Sequence, residues 1–381
     1  VRTESAPGHA RHRPAPARAG RKPPARTGEV LDLLRRGVAV TTADLAATMG
    51  VARSTVTERL ELLLHHGLVV PAGETGPGRG RGRPAGILAF NERAGVTLAA
   101  QVGTDGEVLV AVTDLAGEAL WSSRAAFGVG EGPRALSRLL DREFATALAG
   151  AGESRDRVFG VGVGLPAGLE SAAPPGAWAR FPLAGHLARS YRGPVFVDRD
   201  VHFMALAEHR AAWPRAAVLL CLKAGATISC GLVVDGRVVR GATGLSGEIG
   251  HTKVRDSDAP CRCGGRGCLD ATAAEAAALP AGAALRRAGR RTGDVLAAAV
   301  NLLNPDVVTV RGRLVDAGDE FLDGMRESVH GAALPASVRG LVLTSARLGA
   351  DAGIKGAALT VVEHALTPEA VDGLVAPPIG V

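Results

Sequence analysis

From about residue 94 onward, apolar runs with strand spacing alternate with runs of helical spacing, in two successive halves. "VTLAAQVG", "EVLVAVTDLAG" and "EALWSSRAAF" alternate and turn at glycine, and "GPRALSRLLDREFATALAGA" then takes helical spacing. "RVFGVGVGLPAG" and "GPVFVDRD" are strands, followed by the helix "VHFMALAEHRA". The second half opens with "AAVLLCLKAGATISCGLVVDGRVVRG", passes through Ala-rich helices and reaches late strands at "VVTVRG" and "LVLTSA". This order predicts an α/β body of two lobes over residues 94–381.

The segment in front of it is different. "GEVLDLLRRG" sets Val30, Leu31, Leu33 and Leu34 on one stripe and stops at Gly37. "TTADLAATMG" opens on Thr41 and Thr42 and stops at Gly50, and "VARSTVTERLELLLHHG" stops at Gly67. Three short helices with a tight turn between the second and third predict a helix-turn-helix. "LVV" at 68–70 and "ILAF" at 87–90 are strand-like, and the loop between them is basic, so residues 27–93 read as a winged helix. Residues 1–26 hold seven Lys or Arg and one Glu, a balance of +6 that equals the net charge of the whole chain. A basic, Pro-rich stretch before a neutral body reads as a disordered tail attracted to phosphate backbones, or as a plain solvated leader.

No run approaches the roughly 20 apolar residues of a membrane span, and the N-terminal stretch has no apolar core like that of a signal peptide. Five cysteines do not make a disulfide framework. A cytoplasmic protein is expected, with no membrane partner.

Three of those cysteines fall in "CRCGGRGCLD": Cys261, Cys263 and Cys268. Thiols one residue apart pair poorly with each other, but both can face one metal. The glycines between them let the loop wrap back, and His251 lies ten residues upstream. Zinc takes four nitrogen or sulfur ligands in a tetrahedron, so these four residues are the expected structural zinc site. Cys221 and Cys230 sit in apolar strands and read as core.

"LSGEIGHTKV" followed by "CRCGGRGCLD" resembles the paired signature of the ROK family of sugar kinases and sugar-responsive repressors. The likeness extends over about residues 94–362, through "VGVGLPAG", "DVHFMALAE", "NPDVVTV" and "DAGIKGAAL". It implies the two-lobed actin-like ATPase fold, a zinc held by the motif's His and three Cys, and a dimer or tetramer. It also implies a sugar site at Asp200, Glu248, His251 and Asp270. A sugar hydroxyl both donates and accepts, which suits carboxylates and an imidazole. The chain departs from the family twice: Asp270 stands where Glu is usual, and Arg199 where Asn is usual. Arg199 joins the expected ligand set and favours an acidic or phosphorylated sugar.

The same resemblance places the family's phosphate cradle on residues 102–108, where Val102, Thr104, Asp105 and Glu107 replace the expected Asp, Gly, Gly and Lys. Two carboxylates there repel ATP. The other two phosphate loops fall on residues 225–227 and 311–313 and have lost glycines or gained charge. Phosphoryl transfer needs amides and a metal set on the phosphates, so no enzymatic activity is expected, although the catalytic-base position, Asp200, survives. Double-stranded DNA is the expected partner beside the sugar. Arg53, Ser54, Thr55 and Thr57 open the third helix, where a recognition helix meets base edges, and Arg59 is placed for phosphate or a flanking base. Arg79, Arg81 and Arg83 lie in "GRGRGRP", a slim ribbon that suits an A·T minor groove or a wing touching only phosphate. The sequence thus reads as a sugar-responsive repressor with a degenerate, non-catalytic kinase fold. The alternative is a sugar kinase with an added DNA-binding domain.

Overall fold

The computed structural model describes residues 26–74, 86–169, 177–255, 257–276 and 281–376. The basic tail 1–25 and the wing tip that carries Arg79, Arg81 and Arg83 lie outside the described residues. The chain divides into two compact units, residues 1–89 with 368–381, and residues 90–367.

In the first unit α1 (Thr27–Arg35), α2 (Thr42–Met49) and α3 (Arg53–His65) form the expected three-helix core. Thr41 caps α2 by accepting the N–H of Asp44, which satisfies one of the orphan donors at a helix start. Gly37, Gly50 and Gly67 end the three helices with φ of 65°, 65° and 67°, a region other residues enter at a cost. Leu31, Leu45, Val56 and Leu63 are fully buried. β1 (Val69–Glu74) and β2 (Gly86–Phe90) make the two-stranded wing, and Leu88 N–H donates to Val40 O at 2.8 Å.

In the second unit the elements run β3 (Val96–Val102), β4 (Glu107–Thr113), β5 (Ala119–Ala126), α4 (Pro133–Ala151), β6 (Val158–Leu165), α5 (Ala177–Arg180), α6 (Leu183–Leu187) and β7 (Val195–Arg199). Then follow α7 (Asp200–Ala212), β8 (Val218–Ala224), β9 (Ile228–Val234), β10 (Arg237–Val239), α8 (Leu269–Ala276), α9 (Ala281–Leu303), β11 (Val307–Arg311), α10 (Arg313–Asp316), α11 (Glu320–Ala332), β12 (Val342–Ser345) and α12 (Ala352–Ala365). The two sheets have one plan. Their orders are β5-β4-β3-β6-β7 and β10-β9-β8-β11-β12, each with three antiparallel strands followed by two parallel ones. This is the two-lobed α/β body expected from the sequence.

Lobe 1 packs Leu98, Val110 and Val161 against Leu136, Leu140 and Phe144 of α4. Lobe 2 packs Leu220, Val308 and Val310 against α9 and α11 through Leu296, Val300, Phe321 and Met325. Met204 of α7 packs with Leu219, and Phe203 with Ile354 and Ala357 of α12. The result sets the start of α7 where the sheets meet.

The last helix, α13 (Pro368–Leu374), groups with the first unit, whereas the sequence reading kept residues 94–381 together. It packs on α1, and Asp372 accepts the N–H of Gly28 at 2.9 Å. A Cβ on Gly28 would lie 2.1 Å from the carbonyl oxygen of Pro368. Gly28→Ala is therefore expected to displace α13 and lower the stability of this unit by about 1–3 kcal/mol, as overpacking does. Faster proteolysis after residue 367 and a lower melting temperature would show it. An unchanged melting curve would mean that the contact is dispensable.

Candidate metal centre and sugar cleft

A short 3-10 turn, Ile249–His251, leads into an extended stretch that pairs with the end of the cysteine loop. Lys253 bridges to Cys268 and Val254 N–H donates to Gly267 O at 2.8 Å, so His251 is held beside the thiols. Gly264 and Gly267, with φ of 85° and 70°, turn the loop back on itself. His251 Nδ1 lies 3.7 Å from Cys261 Sγ, and Cys263 Sγ lies 3.8 Å from Cys268 Sγ. All four donor atoms are within 4.8 Å of one another. A zinc tetrahedron with Zn–S bonds of about 2.3 Å has S–S edges of about 3.8 Å, so the donor set fits a metal of that size and type. The Gly265 N–H and the Cys261 thiol hold the exposed Cys263 thiol below its ordinary range, while burial pushes that of Cys261 up. Cys221 and Cys230 stand apart, fully enclosed in β8 and β9, and burial pushes the Cys221 thiol up to about 12.

The other ring nitrogen of His251, Nε2, faces Glu248 Oε2 at 3.9 Å. Glu248 in turn pairs with Arg199 at 2.9 Å. Arg199 and Asp200 come from the β7–α7 junction, so Arg199, Glu248 and His251 form one line of contacts, with Asp200 next to Arg199 in the chain. Asp270, at the start of α8, is committed to the protein. Its Oδ1 accepts the N–H of Ile228 at 2.7 Å, and Arg262 donates to its Oδ2 at 3.1 Å. A Cβ at Gly250 would lie 2.2 Å from Asp270 Oδ1, so the glycine of the motif is needed for the carboxylate to sit there.

Asp200 is fully buried. Its Oδ1 accepts the N–H of Val201 at 2.7 Å and its Oδ2 pairs with Lys223 of β8. The neighbouring Asp198 accepts from the His202 ring at 2.7 Å and from Arg240 at 2.6 Å. Burial alone would raise the Asp198 carboxyl, but His202 and Arg240 outweigh it and hold the group below its usual range. Sequence reasoning missed Lys223, Asp198, His202, Arg240 and Arg262. Lys223 left a trace, since it is one of only four lysines in the chain and interrupts the apolar run "VLLCLKA". A lysine in a buried strand needs a carboxylate.

Residues 102–108 run from the buried Val102 at the end of β3, through a turn with Thr104 and Asp105 exposed, to the buried Val108 of β4; Gly103 N–H donates to Glu107 O and Glu107 pairs with Arg124 at 3.3 Å. Gly312, in the third phosphate-loop segment, packs on the end of β8: a Cβ there would lie 2.5 Å from Ala224 O. On α3, Arg53, Ser54 and Thr57 are exposed, and Thr55 and Arg59 are half-buried. The Thr57 hydroxyl donates back to Arg53 O at 3.0 Å.

The family model "ROK family" matches residues 99–281 and the model "IclR helix-turn-helix domain" matches residues 24–73. The body of the chain is similar to the ROK family over residues 99–281. The chain is 25% identical over 360 residues to the xylose repressor of Caldicellulosiruptor bescii, covering 83% of this chain and 90% of that protein. It is 28% identical over 256 residues to the glucokinase of Halalkalibacterium halodurans, covering 55% of this chain and 78% of the kinase. The crystal structure of a ROK family transcriptional regulator, a homolog of the E. coli MLC protein, superposes with a TM-score of 0.71 at 23% identity, over 92% of this chain and 98% of that one. ROK relatives thus include both repressors and kinases, and the fold does not choose between them. No helix among the described residues is long and apolar enough to cross a membrane.

Proposed function

We propose that the chain is a sugar-responsive transcription regulator, a repressor, that binds duplex DNA through its N-terminal winged helix and senses a sugar or sugar derivative in the ROK body without phosphorylating it. The observation that carries the reading is the pairing of an exposed α3 start, within an IclR-type helix-turn-helix, with a ROK cleft whose Asp200 is enclosed and ion-paired. The length of the likeness to xylose repressors, over both parts of the chain, supports it.

Arg53, Ser54, Thr55 and Thr57 would read base edges from the major groove, and Arg59 would hold phosphate or a flanking base. Arg79, Arg81 and Arg83 would reach the adjoining minor groove. Two copies related by a two-fold axis would match a palindromic operator, so a dimer, or a tetramer made from two, is the working form. Domain roles follow the expected boundaries, with DNA on 27–93 and sugar on the body from 94.

His251, Cys261, Cys263 and Cys268 would hold zinc, which supplies a rigid brace and no reaction chemistry. His251 faces the metal site with Nδ1, which leaves Nε2 to orient Glu248 and to meet a ligand hydroxyl. Arg199, Asp200 and Asp270 complete the wall.

The test is a gel-shift titration on the operator upstream of the regulated genes. The full chain is expected to bind with an affinity that falls steeply with salt, as phosphate contacts require. Replacing Arg53 and Thr55 with Ala should reduce discrimination between operator and random DNA at least tenfold, since a good base contact is worth about 1–3 kcal/mol. Equal binding to both DNAs by the unmodified chain would end the reading.

A further inference from the structure

Arg262 stands between two of the candidate metal ligands, Cys261 and Cys263, and its side chain reaches out of the metal loop in two directions. One is toward lobe 2. Its Nη2 donates to Asp270 Oδ2 at 3.1 Å. The Asp270 side chain is only 7% exposed, and its other oxygen holds the N–H of Ile228 at the start of β9. This edge of the guanidinium is therefore anchored in the second sheet. The face of the same guanidinium meets lobe 1. A Cβ on Gly168 would lie 3.0 Å from Arg262 Cζ and 3.1 Å from its Nε. The planar fork lies against bare backbone that a larger residue would cover.

Gly168 belongs to the short segment that leaves β6. Leu165, the last residue of β6, is in register with Arg199 of β7, so residues 166–169 begin beside the β7–α7 junction. Ala167 and Leu169 are buried, and Gly168 between them has φ of 80°, a value that favours glycine. Arginine suits this place, because hydrogen bonds made in the plane of its fork leave its face free to stack. A lysine would supply the charge for Asp270 and no flat face for Gly168.

Two ion pairs also cross from lobe 2 to the β7–α7 junction, Lys223 with Asp200 and Arg240 with Asp198. Neither cation lies in the metal loop. Arg262 differs in that both its chain neighbours are candidate ligands. Four ligands fixed in a tetrahedron leave the chain between two of them little freedom. A bound metal would therefore set where the Arg262 side chain starts, and Asp270 sets where it ends.

We propose that Arg262 is a latch between the lobes: it passes the rigidity of the metal loop to residues 166–169 and so holds the lobe-1 wall of the sugar cleft. Arg262 is a positioning residue, not a ligand. The proposal rests on the zinc and cleft readings above and deepens them. The metal reaches the cleft by two routes, through His251 on one wall and through Arg262 on the other. A wall held in place before a ligand arrives spares that ligand the cost of ordering it.

Hydrogen exchange of the full-length protein, read by mass spectrometry, tests this with the metal alone. Four samples are compared: the unmodified chain and Arg262→Ala, each with zinc bound and after a chelator has stripped it. Stripping the unmodified chain is expected to speed exchange in the metal loop, 252–268, and in residues 161–169, by about threefold or more in each. Zinc returned to that sample should slow both again. Arg262→Ala with zinc bound should keep its metal content and a slow metal loop, yet exchange at 161–169 as fast as the stripped chain. Stripping the variant should then loosen its metal loop and add nothing at 161–169. A merely structural arginine would not abolish that response. Residues 96–102 of β3 serve as the slow reference in every sample. Should Arg262→Ala fail to fold, as judged by its melting curve, Arg262→Gln takes its place, since it keeps a donor for Asp270 without the fork. Exchange at 161–169 that Arg262→Ala leaves unchanged, or that stripping speeds equally in both chains, overturns the latch. A chain that neither contains zinc nor takes it up refutes the zinc reading, and the comparison of Arg262→Ala with the unmodified chain still decides the contact between the lobes. Operator binding on the same preparations keeps the regulator reading separate: its loss in the unmodified chain refutes the regulator and leaves the latch standing.

Discussion

Purified protein is expected to contain one zinc per chain, and Cys263→Ala is expected to remove it and with it the effect of sugar on operator binding. The reason is how little else holds the loop. Between Thr252 and Gly267, Val254 is the one buried aliphatic side chain among the described residues, in a small cluster with Ile228 and Leu269. Burying a valine contributes about 1.5–3 kcal/mol. Zinc held by four such ligands contributes about 10–16 kcal/mol to small metal-folded peptides at neutral pH. The metal therefore decides whether His251 keeps its orientation and Glu248 its place three residues earlier. Cys263 is the ligand to change because its side chain is exposed, so alanine removes a donor without opening a cavity. The DNA module should stay folded, since Leu31, Leu45 and Leu63 give it a core of its own. Elemental analysis, paired with operator titrations with and without ligand, reads both effects. Metal-free protein with a normal sugar response would assign the cysteines another purpose.

What the sequence made legible follows from the range of the interactions. The helix-turn-helix was readable because its signals are local: a three-to-four residue apolar period, a Thr41 cap and glycine stops at 37, 50 and 67. The four candidate metal ligands were readable because they lie within 18 residues of one another, from His251 to Cys268. The return of α13 to α1 was not readable, because Gly28 and Asp372 are 344 positions apart and nothing in "PEAVDGL" marks its partner. The cations opposite Asp198 and Asp200 were hidden for the same reason, since Lys223 of β8 and Arg240 just after β10 come from the other sheet. The sequence marked Arg199 as unusual. It did not reveal that its guanidinium already rests on Glu248.

Incubated with ATP, magnesium and a hexose or pentose, the protein is expected to show no turnover above background. By the resemblance to the ROK family Asp200 would be the general base of a kinase, which has to take a proton from the attacking hydroxyl. Here its side chain has no exposure, one oxygen is held by the Val201 N–H and the other by the Lys223 ammonium. A carboxylate so engaged accepts a proton only by giving up an enclosed ion pair, and breaking such a pair costs about 3–5 kcal/mol. At 1.36 kcal/mol per tenfold, that alone slows the step by roughly two to four orders of magnitude. The β3–β4 turn adds Asp105 and Glu107, both exposed, where a nucleotide phosphate would need amides and a cation. The two defects are independent, so repairing one should not restore activity: Lys223→Met frees Asp200 yet leaves the turn acidic. A coupled assay for ADP, run beside a ROK glucokinase as positive control, measures the rate directly. A turnover of about 1 per second or more on any sugar, within the ordinary enzyme range, would show that the ion pair opens during the cycle and would make the chain a kinase that carries a DNA-binding module.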